Sequence, residues 1–271
     1  MVVKSNYMKF KLITNKEELK LYANSILALF ERSYGKSLSY QLWKWAYLDN
    51  PCGDPVVSLC LNQDSVLGHY AVIPYTLWTN DTPIKNALSM TTMIDPTMQG
   101  QGLFTKLASY VYQYLQESNY DSVIGFPNKN SLPGFKKHLQ WNISEQDYVA
   151  KLTAKQLLDS HDVQHYISVD KVKINENNDE FMDWRLSKPN TIYKRKGNHI
   201  FKIDQKYLDL VQLSLSNKEQ EFTEQTFYVL LDGSIKDLKK YKEFDYPFGH
   251  RCFNSDREIR FKKELLLSDV F

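Results

Sequence analysis

Between an apolar run of β character, Ile84 to Ile94, and an amphipathic run, Leu103 to Leu115, the chain carries Gln99-Gly100-Gln101-Gly102-Leu103-Phe104-Thr105. Strand, glycine turn and helix in that order form the head of a parallel crossover, and this limits the architectures open to the chain. The helix side of the turn also favours one kind of ligand. A helix N-terminus leaves its first amides without partners and carries a partial positive charge, so it attracts a pyrophosphate without a lysine. Gly100 and Gly102 lack a Cβ and let such a ligand approach the backbone. Thr105 can add a hydroxyl contact, and Lys106 lies near enough to offset negative charge.

Spacing separates this loop from other phosphate loops. A Walker A sequence needs Gly-Lys-Ser or Gly-Lys-Thr after its glycines; here Gly102 is followed by Leu103-Phe104, which excludes it. A Rossmann fingerprint needs a third glycine at position 105, where the chain has threonine, and its strand should open the domain rather than follow hairpins. A turn that only caps the helix stays open as the ligand-free alternative.

The flanking pattern extends the fold. Glu17 to Tyr34 has near-helical apolar spacing, with Asn15 as cap and Gly35 as stop, and Leu42 to Leu48 is a second helical cluster ending at Asn50-Pro51. Val56–Leu61 and Val66–Pro74 read as a hairpin around Asn62-Gln63-Asp64-Ser65. Tyr75–Trp78 reads as a third strand before a turn at Asn80-Asp81. After the glycine turn come a helix, a short β run at Asp121–Phe126 and a helix at Pro133–Leu139. The expected class is α+β: a central mixed sheet flanked by helices, with a parallel crossover in its later half.

Beyond Asn142 the pattern is sparser. Phe227–Leu231 and Ile259–Phe261 read as strands and Ile235–Tyr241 as a helix start. Trp45-Ala-Tyr-Leu-Asp-Asn-Pro51, preceded by Leu42, is echoed by Trp184-Arg-Leu-Ser-Lys-Pro189, preceded by Phe181. Coincidence or a degenerate duplication of the first fold explains the echo, and the second is favoured. The expected division is 1–145 and 146–271.

Composition narrows the partners. The 34 basic and 32 acidic residues are interspersed, so no basic face of the kind nucleic acid requires is expected. The three cysteines, Cys52, Cys60 and Cys252, form no CxxC, and a reducing, cytoplasmic setting is expected, without metal, signal peptide or membrane span.

Gln99, the two residues after it, and Gly102 match the loop of the GNAT acetyltransferase superfamily, whose motif is Arg or Gln, two residues, Gly, one residue, then Gly or Ala. Trp45 to Pro51, Gly68-His69-Tyr70 to Pro74, Gly125-Phe126-Pro127-Asn128, and Asn130-Ser131 through Gly134-Phe135-Lys136-Lys137 to Trp141 extend the resemblance. Together they resemble a branch associated with bacterial surface-polysaccharide synthesis. Phe104 departs from the final small residue of the motif.

The resemblance implies N-acyl transfer from acetyl-CoA to the amine of a small molecule, an amino sugar or nucleotide amino sugar being favoured. It implies that Met93, Ile94, Gln99, Gly100, Gln101, Gly102, Leu103, Phe104, Thr105 and Asn128 hold the donor, with a backbone amide near Met93 polarising the thioester carbonyl. An ammonium acceptor must lose a proton, so a general base is expected. Asp95 and His69 are the candidates; for Asp95 a cap on the Pro96 turn is the favoured alternative, and His69 serves equally as a satisfied polar group at a core edge. The position of the family's usual tyrosine acid corresponds to Lys136, which leaves the acid unassigned; His138 is a substitute or a surface residue, the second favoured. Tyr47, Tyr70, Tyr75 and Trp78 are wall or core residues. A non-catalytic acyl-CoA-binding or scaffolding protein is the alternative function, and a peptide acceptor a third.

Overall fold

The computed structural model describes residues 8–63, 65–79, 82–196, 199–204, 208–213, 226–253 and 259–268. Strand β1 (Met8–Ile13) is followed by α1 (Lys16–Leu21), α2 (Ala23–Tyr34) and α3 (Tyr40–Tyr47). The helix read across Glu17–Tyr34 is thus two, joined at Tyr22, whose ψ of 0 ends one and opens the other. Asn15 caps α1 by accepting from the Glu18 amide, and Gly35 closes α2 in the left-handed region at φ 67.

Next come β2 (Val56–Asn62), β3 (Ser65–Thr79), β4 (Thr82–Ile94), a 3-10 turn at Pro96–Met98, α4 (Leu103–Glu117), β5 (Ser122–Gly125), α5 (Leu132–His138) and β6 (Asn142–Ser144). The two strands expected over Val66–Trp78 are one continuous strand, despite Pro74. Pairing of β3 with β2 ends at Val72, so Pro74 faces no ladder partner there and its missing N–H costs nothing. The Asn62–Ser65 turn lies partly, and the Asn80-Asp81 turn wholly, outside the described residues.

The later elements are β7 (Tyr148–Leu152), α6 (Ala154–Leu158), α7 (His161–Ser168), β8 (Lys173–Ile174), α8 (Asp179–Leu186), β9 (Ile192–Lys196), β10 (His199–Ile203), β11 (Leu208–Gln212), β12 (Phe227–Leu231), β13 (Lys242–Asp245), β14 (Phe248–Cys252) and α9 (Leu265–Ser268). Ile259–Phe261 is not a strand but makes a single bridge, Val172 to Phe261. The helix expected from Ile235 is reduced to a 3-10 turn at Lys239–Tyr241. The amides of Lys236 and Asp237 donate to Asp162, and the bonds that follow are of the tighter i to i+3 kind, from the Lys239 amide to the Lys236 carbonyl and from the Tyr241 amide to the Leu238 carbonyl.

Two sheets result. The first runs β1-β2-β3-β4-β5-β14-β6, with β8 paired to β3, and the second runs β13-β7-β12-β11-β10-β9. Antiparallel pairs followed by one parallel pair, β4 with β5, describe the first; β9, β10, β11 and the parallel pair β11 with β12 repeat that order in the second. The halves then exchange strands. After β6 the chain leaves the first sheet and adds β7 beside β12; after β13 it leaves the second and adds β14 between β5 and β6. The crossing segments touch where the Tyr246 amide donates to the Asp147 carbonyl at 2.9 Å. Lys263 bridges Asp147 and Asp232 there, at 2.8 and 2.6 Å.

Trp45 of α3 and Trp184 of α8 mark the relation between the halves. Each indole N–H donates to the other residue's carbonyl at 2.8 Å, and the rings stack with centroids 5.1 Å apart. The echo around the two tryptophans is therefore a spatial pair. Both rings lie in one apolar core with residues of both halves, including Tyr75, Phe181, Phe248 and Leu266. The division at 145 and 146 falls between β6 and β7, and β8 and β14, from beyond it, belong to the first sheet.

Candidate active site

The site arises where β4 and β5 stop touching. They pair in parallel from Asn86 with Ser122 to Leu88 with Ile124. Past that point β4 leans on β3, and the ladder there is broken: Ala71 pairs with Met90 and His69 with Met93, so Tyr70 opposes both Thr91 and Thr92. This is a β-bulge, which re-aims the backbone. Thr91 sits at φ 52, a left-handed conformation that a β-branched residue holds only when its surroundings force it. Two side chains do so. His69 Nδ1 donates to the Thr91 carbonyl at 2.8 Å, and the Tyr34 hydroxyl donates to the Thr92 carbonyl at 2.9 Å.

His69 is fully buried, and burial pulls its imidazole pKa down to about 4, so it is neutral near pH 7. Donation from Nδ1 leaves Nε2 as an acceptor, and that atom has no hydrogen-bond partner among the described residues. The Tyr47 ring meets the imidazole edge-on at 6.1 Å. Partial burial also raises the pKa of the Tyr34 phenol.

The glycine turn stands at the carboxyl end of β4. Gly100 and Gly102 have φ 77 and 71, and Gly102 is the N-cap of α4. A Cβ on either would meet nothing within 4 Å, so the glycines serve the left-handed backbone and leave open space before it. Among the described residues no side chain caps this helix, which leaves the amides of Leu103, Phe104 and Thr105 facing that space. Unpaired amides at a helix N-terminus suit the anionic pyrophosphate of an acyl-CoA.

Residues 18–143 match the family model described as an acetyltransferase (GNAT) domain. A GCN5-related N-acetyltransferase from Kribbella flavida superimposes with a TM-score of 0.58 at 11% identity, over 90% of this chain and 72% of that one. The fold is that of the GNAT acetyltransferases. A GCN5-related N-acetyltransferase from Anabaena variabilis ATCC 29413 gives 0.57 at 14% identity, over 91% and 73% of the two chains. A conserved protein from Enterococcus faecalis V583 gives 0.59 at 11%, over 91% and 73%. These structural neighbours cover both halves. No curated protein sequence matches the chain.

Phe104 stands where the GNAT loop motif has glycine or alanine. Its ring turns away from the loop, 5.1 Å from Phe135 and 6.1 Å from Tyr70. Gly134 in α5 makes the room, since a Cβ there would lie 2.5 Å from Phe104 Cε1. The backbone of the GNAT loop is therefore unobstructed by the large residue. The Lys106 ammonium lies over the Phe10 ring, 3.9 Å from its centroid, and is directed there rather than to the loop. Gln99 and Gln101 are exposed, Gln101 reaching Met98 Sδ at 3.8 Å.

Asp95 caps the 3-10 turn: Oδ1 accepts from the Thr97 amide and hydroxyl at 3.1 and 2.7 Å, and Oδ2 accepts from Arg32 at 2.8 Å. The Thr97 hydroxyl, followed by Arg32, holds its carboxyl below the usual carboxylate range. Asn128 folds the turn after β5, its Oδ1 accepting from the amides of Asn130 and Ser131, both at 3.0 Å. Met93 is buried, and both Met93 and Ile94 stay on the β3 ladder. Lys136 is exposed and pairs with Glu145 at 2.6 Å, and His138 is exposed. Tyr70 is a core group, bonded to Ser89 and Tyr112; Tyr47 and Tyr75 are buried and Trp78 partly so.

Sequence reasoning missed Tyr34. It ends an amphipathic helix among other aromatics, and only the bulge, which no local pattern announces, gives its hydroxyl a purpose. It missed Tyr246 too, whose ring lies 5.3 Å from Phe126 at the carboxyl end of β5.

Proposed function

We propose that the chain is an acyl-CoA-dependent N-acyltransferase that moves an acetyl or short acyl group to the amine of a small molecule. The observation that carries this reading is an uncapped helix N-terminus set beside a sheet that splits between β4 and β5. In this reading the amides of Leu103, Phe104 and Thr105 hold the pyrophosphate, and the split admits the pantetheine arm. The bulge offers a backbone amide near Met93 to the thioester carbonyl. The neutral amine attacks the carbonyl carbon, the C–N bond forms and the C–S bond breaks. The proton lost by nitrogen balances the departing thiolate. Holding both partners in place supplies much of the acceleration.

Asp95 and His69 act in this scheme as positioning residues. Asp95 ties the loop entry to Arg32 of α2, and His69 holds the bulge. The acceptor suggested by the family resemblance is an amino sugar, free or nucleotide-linked, in the cytoplasmic synthesis of a polysaccharide. Residues 1–145 supply the donor site and 146–271 the wall facing it. Among the described residues no helix is long and apolar enough to cross a membrane.

The occupation of the usual tyrosine position by Lys136, already paired with Glu145, favours a second reading, a protein that binds acyl-CoA without transferring it. Calorimetry with acetyl-CoA, followed by thiol release over amino sugars and simple amines, separates the two. Binding with release supports transfer, and binding without release from any amine supports the second reading. Absence of binding at millimolar donor removes both.

A further inference from the structure

Backbone direction at the bulge decides what faces the split. The Asp95 amide donates to the Leu67 carbonyl at 2.8 Å, and next along the ladder Ile94 lies opposite Gly68 and Met93 opposite His69. Hydrogen-bonded and open pairs alternate along an antiparallel ladder, so Gly68 with Ile94 is an open pair and His69 with Met93 a bonded one. The Met93 amide therefore points to β3. A trans peptide sets its carbonyl and amide on opposite sides, so the Thr92 carbonyl points away from β3, toward the space that opens where β5 leaves β4. The Ile94 amide, in an open pair, points the same way, which makes it the amide available to a thioester carbonyl.

One side chain enters that space. The Tyr34 hydroxyl donates to the Thr92 carbonyl at 2.9 Å, so the last turn of α2 delivers a phenol to the edge of β4 that faces the split. Its ring is held against Phe30, with centroids 4.7 Å apart. The residue is 43% exposed, so a ligand in the split can touch it, and partial burial of the phenol raises its pKa and keeps it protonated at neutral pH. A structural duty alone leaves this choice unexplained: His69 already ties the Thr91 carbonyl, and Thr92 is only half-buried, where water could satisfy its carbonyl. Lys136, at the family's tyrosine position, is exposed and paired with Glu145.

We propose that Tyr34 is the proton donor of the transfer, delivered to the leaving sulfur from α2 instead of from the helix after β5. The Thr92 carbonyl and the Ile94 amide are neighbours on one strand edge, so a thioester whose oxygen meets that amide brings its sulfur beside the Tyr34 hydroxyl. As the C–S bond breaks, the sulfur takes the phenol proton, and the phenolate recovers the proton that the attacking nitrogen releases. The inference rests on the acyltransferase reading, but the placement of the sulfur can be tested without turnover.

A crystal structure of the full-length protein with coenzyme A is expected to show the sulfur within hydrogen-bond reach of the Tyr34 oxygen. Thiol release from acetyl-CoA with glucosamine and simple primary amines is then compared between wild type and Tyr34→Phe, which keeps the ring on Phe30. The variant is expected to lose at least about 100-fold in kcat, while its calorimetric Kd for acetyl-CoA changes by less than about threefold. A sulfur placed away from Tyr34, equal release in the variant, or a loss of donor affinity that matches the loss of turnover overturns the proposal and leaves the transferase standing. A sulfur beside Tyr34 with no release by the wild type from any amine overturns the transferase, and the donor role with it.

Discussion

The two sheets share a strand order and differ in what lies at the split between their parallel strands. In the first, β4 and β5 diverge beside a glycine turn, a bulge and an uncapped helix. In the second, β11 and β12 pair at Asp209 with Tyr228 and Leu210 with Val229, and the intervening sequence has no glycine. A repeated strand order therefore does not bring a repeated glycine turn. Strand order follows from apolar alternation and the crossover, which many sequences satisfy, whereas an anion site needs particular residues at particular φ values. The exchange of β7 and β14 ties the sheets together: β7 joins β12 in the second, and β14 stands between β5 and β6 in the first.

The comparison breaks most visibly at Trp45 and Trp184. Replacing either by alanine removes a buried aromatic and leaves the partner's indole N–H or carbonyl without its bond, at a cost of about 3–5 kcal/mol. If the reciprocal pair joins the halves, the effects are coupled, and the double variant costs less than the sum of the singles by about 1 kcal/mol or more. Urea unfolding of the three variants measures this. Strict additivity would show that the rings only fill space, each within its own half.

Gly102→Glu sharpens the functional side. It forces a side chain into the left-handed region and sets a carboxylate where the pyrophosphate is proposed to sit. Acetyl-CoA affinity is expected to fall about 100-fold, near 2.7 kcal/mol, with one donor bound per wild-type chain. A wild-type stoichiometry of two would give the second sheet a donor site and undo the contrast, and unchanged affinity in the variant would release the loop from donor binding.

Much of the first sheet was legible because its signals are local. Asn15, Gly35, the Asn50-Pro51 stop and the Gly100–Gly102 turn act within a few residues of themselves, and each governs the backbone as read. The Trp45 and Trp184 echo was legible as similarity, though sequence could not show that the rings touch. The strand exchange was not legible: Tyr148–Leu152 and Phe248–Cys252 are short β runs, and nothing in them states which sheet they join. Pairing at such separation is decided by the packing of whole halves. Pro74 misled because proline is compatible with a strand wherever one flank is unpaired, and that depends on where β2 ends. The roles of Tyr34 and His69 depend on the bulge at Thr91, where a β-branched residue takes a conformation its own propensity opposes.

The smallest effect separates the bulge from its counterpart on the other sheet. His69 on β3 and His199 on β10 are both buried, and burial lowers the pKa of both, with Lys262 adding to the effect at His199. For His69 the pKa falls from 6.5 to about 4. Between those values the unfolded chain takes up a proton that the folded chain refuses, so stability is full above pH 6.5 and declines as pH falls toward 4. Each such histidine contributes a slope of up to about 1.4 kcal/mol per pH unit within its window. His69→Gln should make the urea-derived stability curve shallower by about one proton between pH 6 and 5, while costing stability at pH 7 through the lost bond to the Thr91 carbonyl. His199→Gln should flatten the same curve without changing acetyl-CoA affinity, since among the described residues β10 pairs only with β9 and β11. If the His69 variant also binds acetyl-CoA as tightly as the wild type, the bulge does not position the donor, and the contrast between the two sheets reduces to the glycine turn alone.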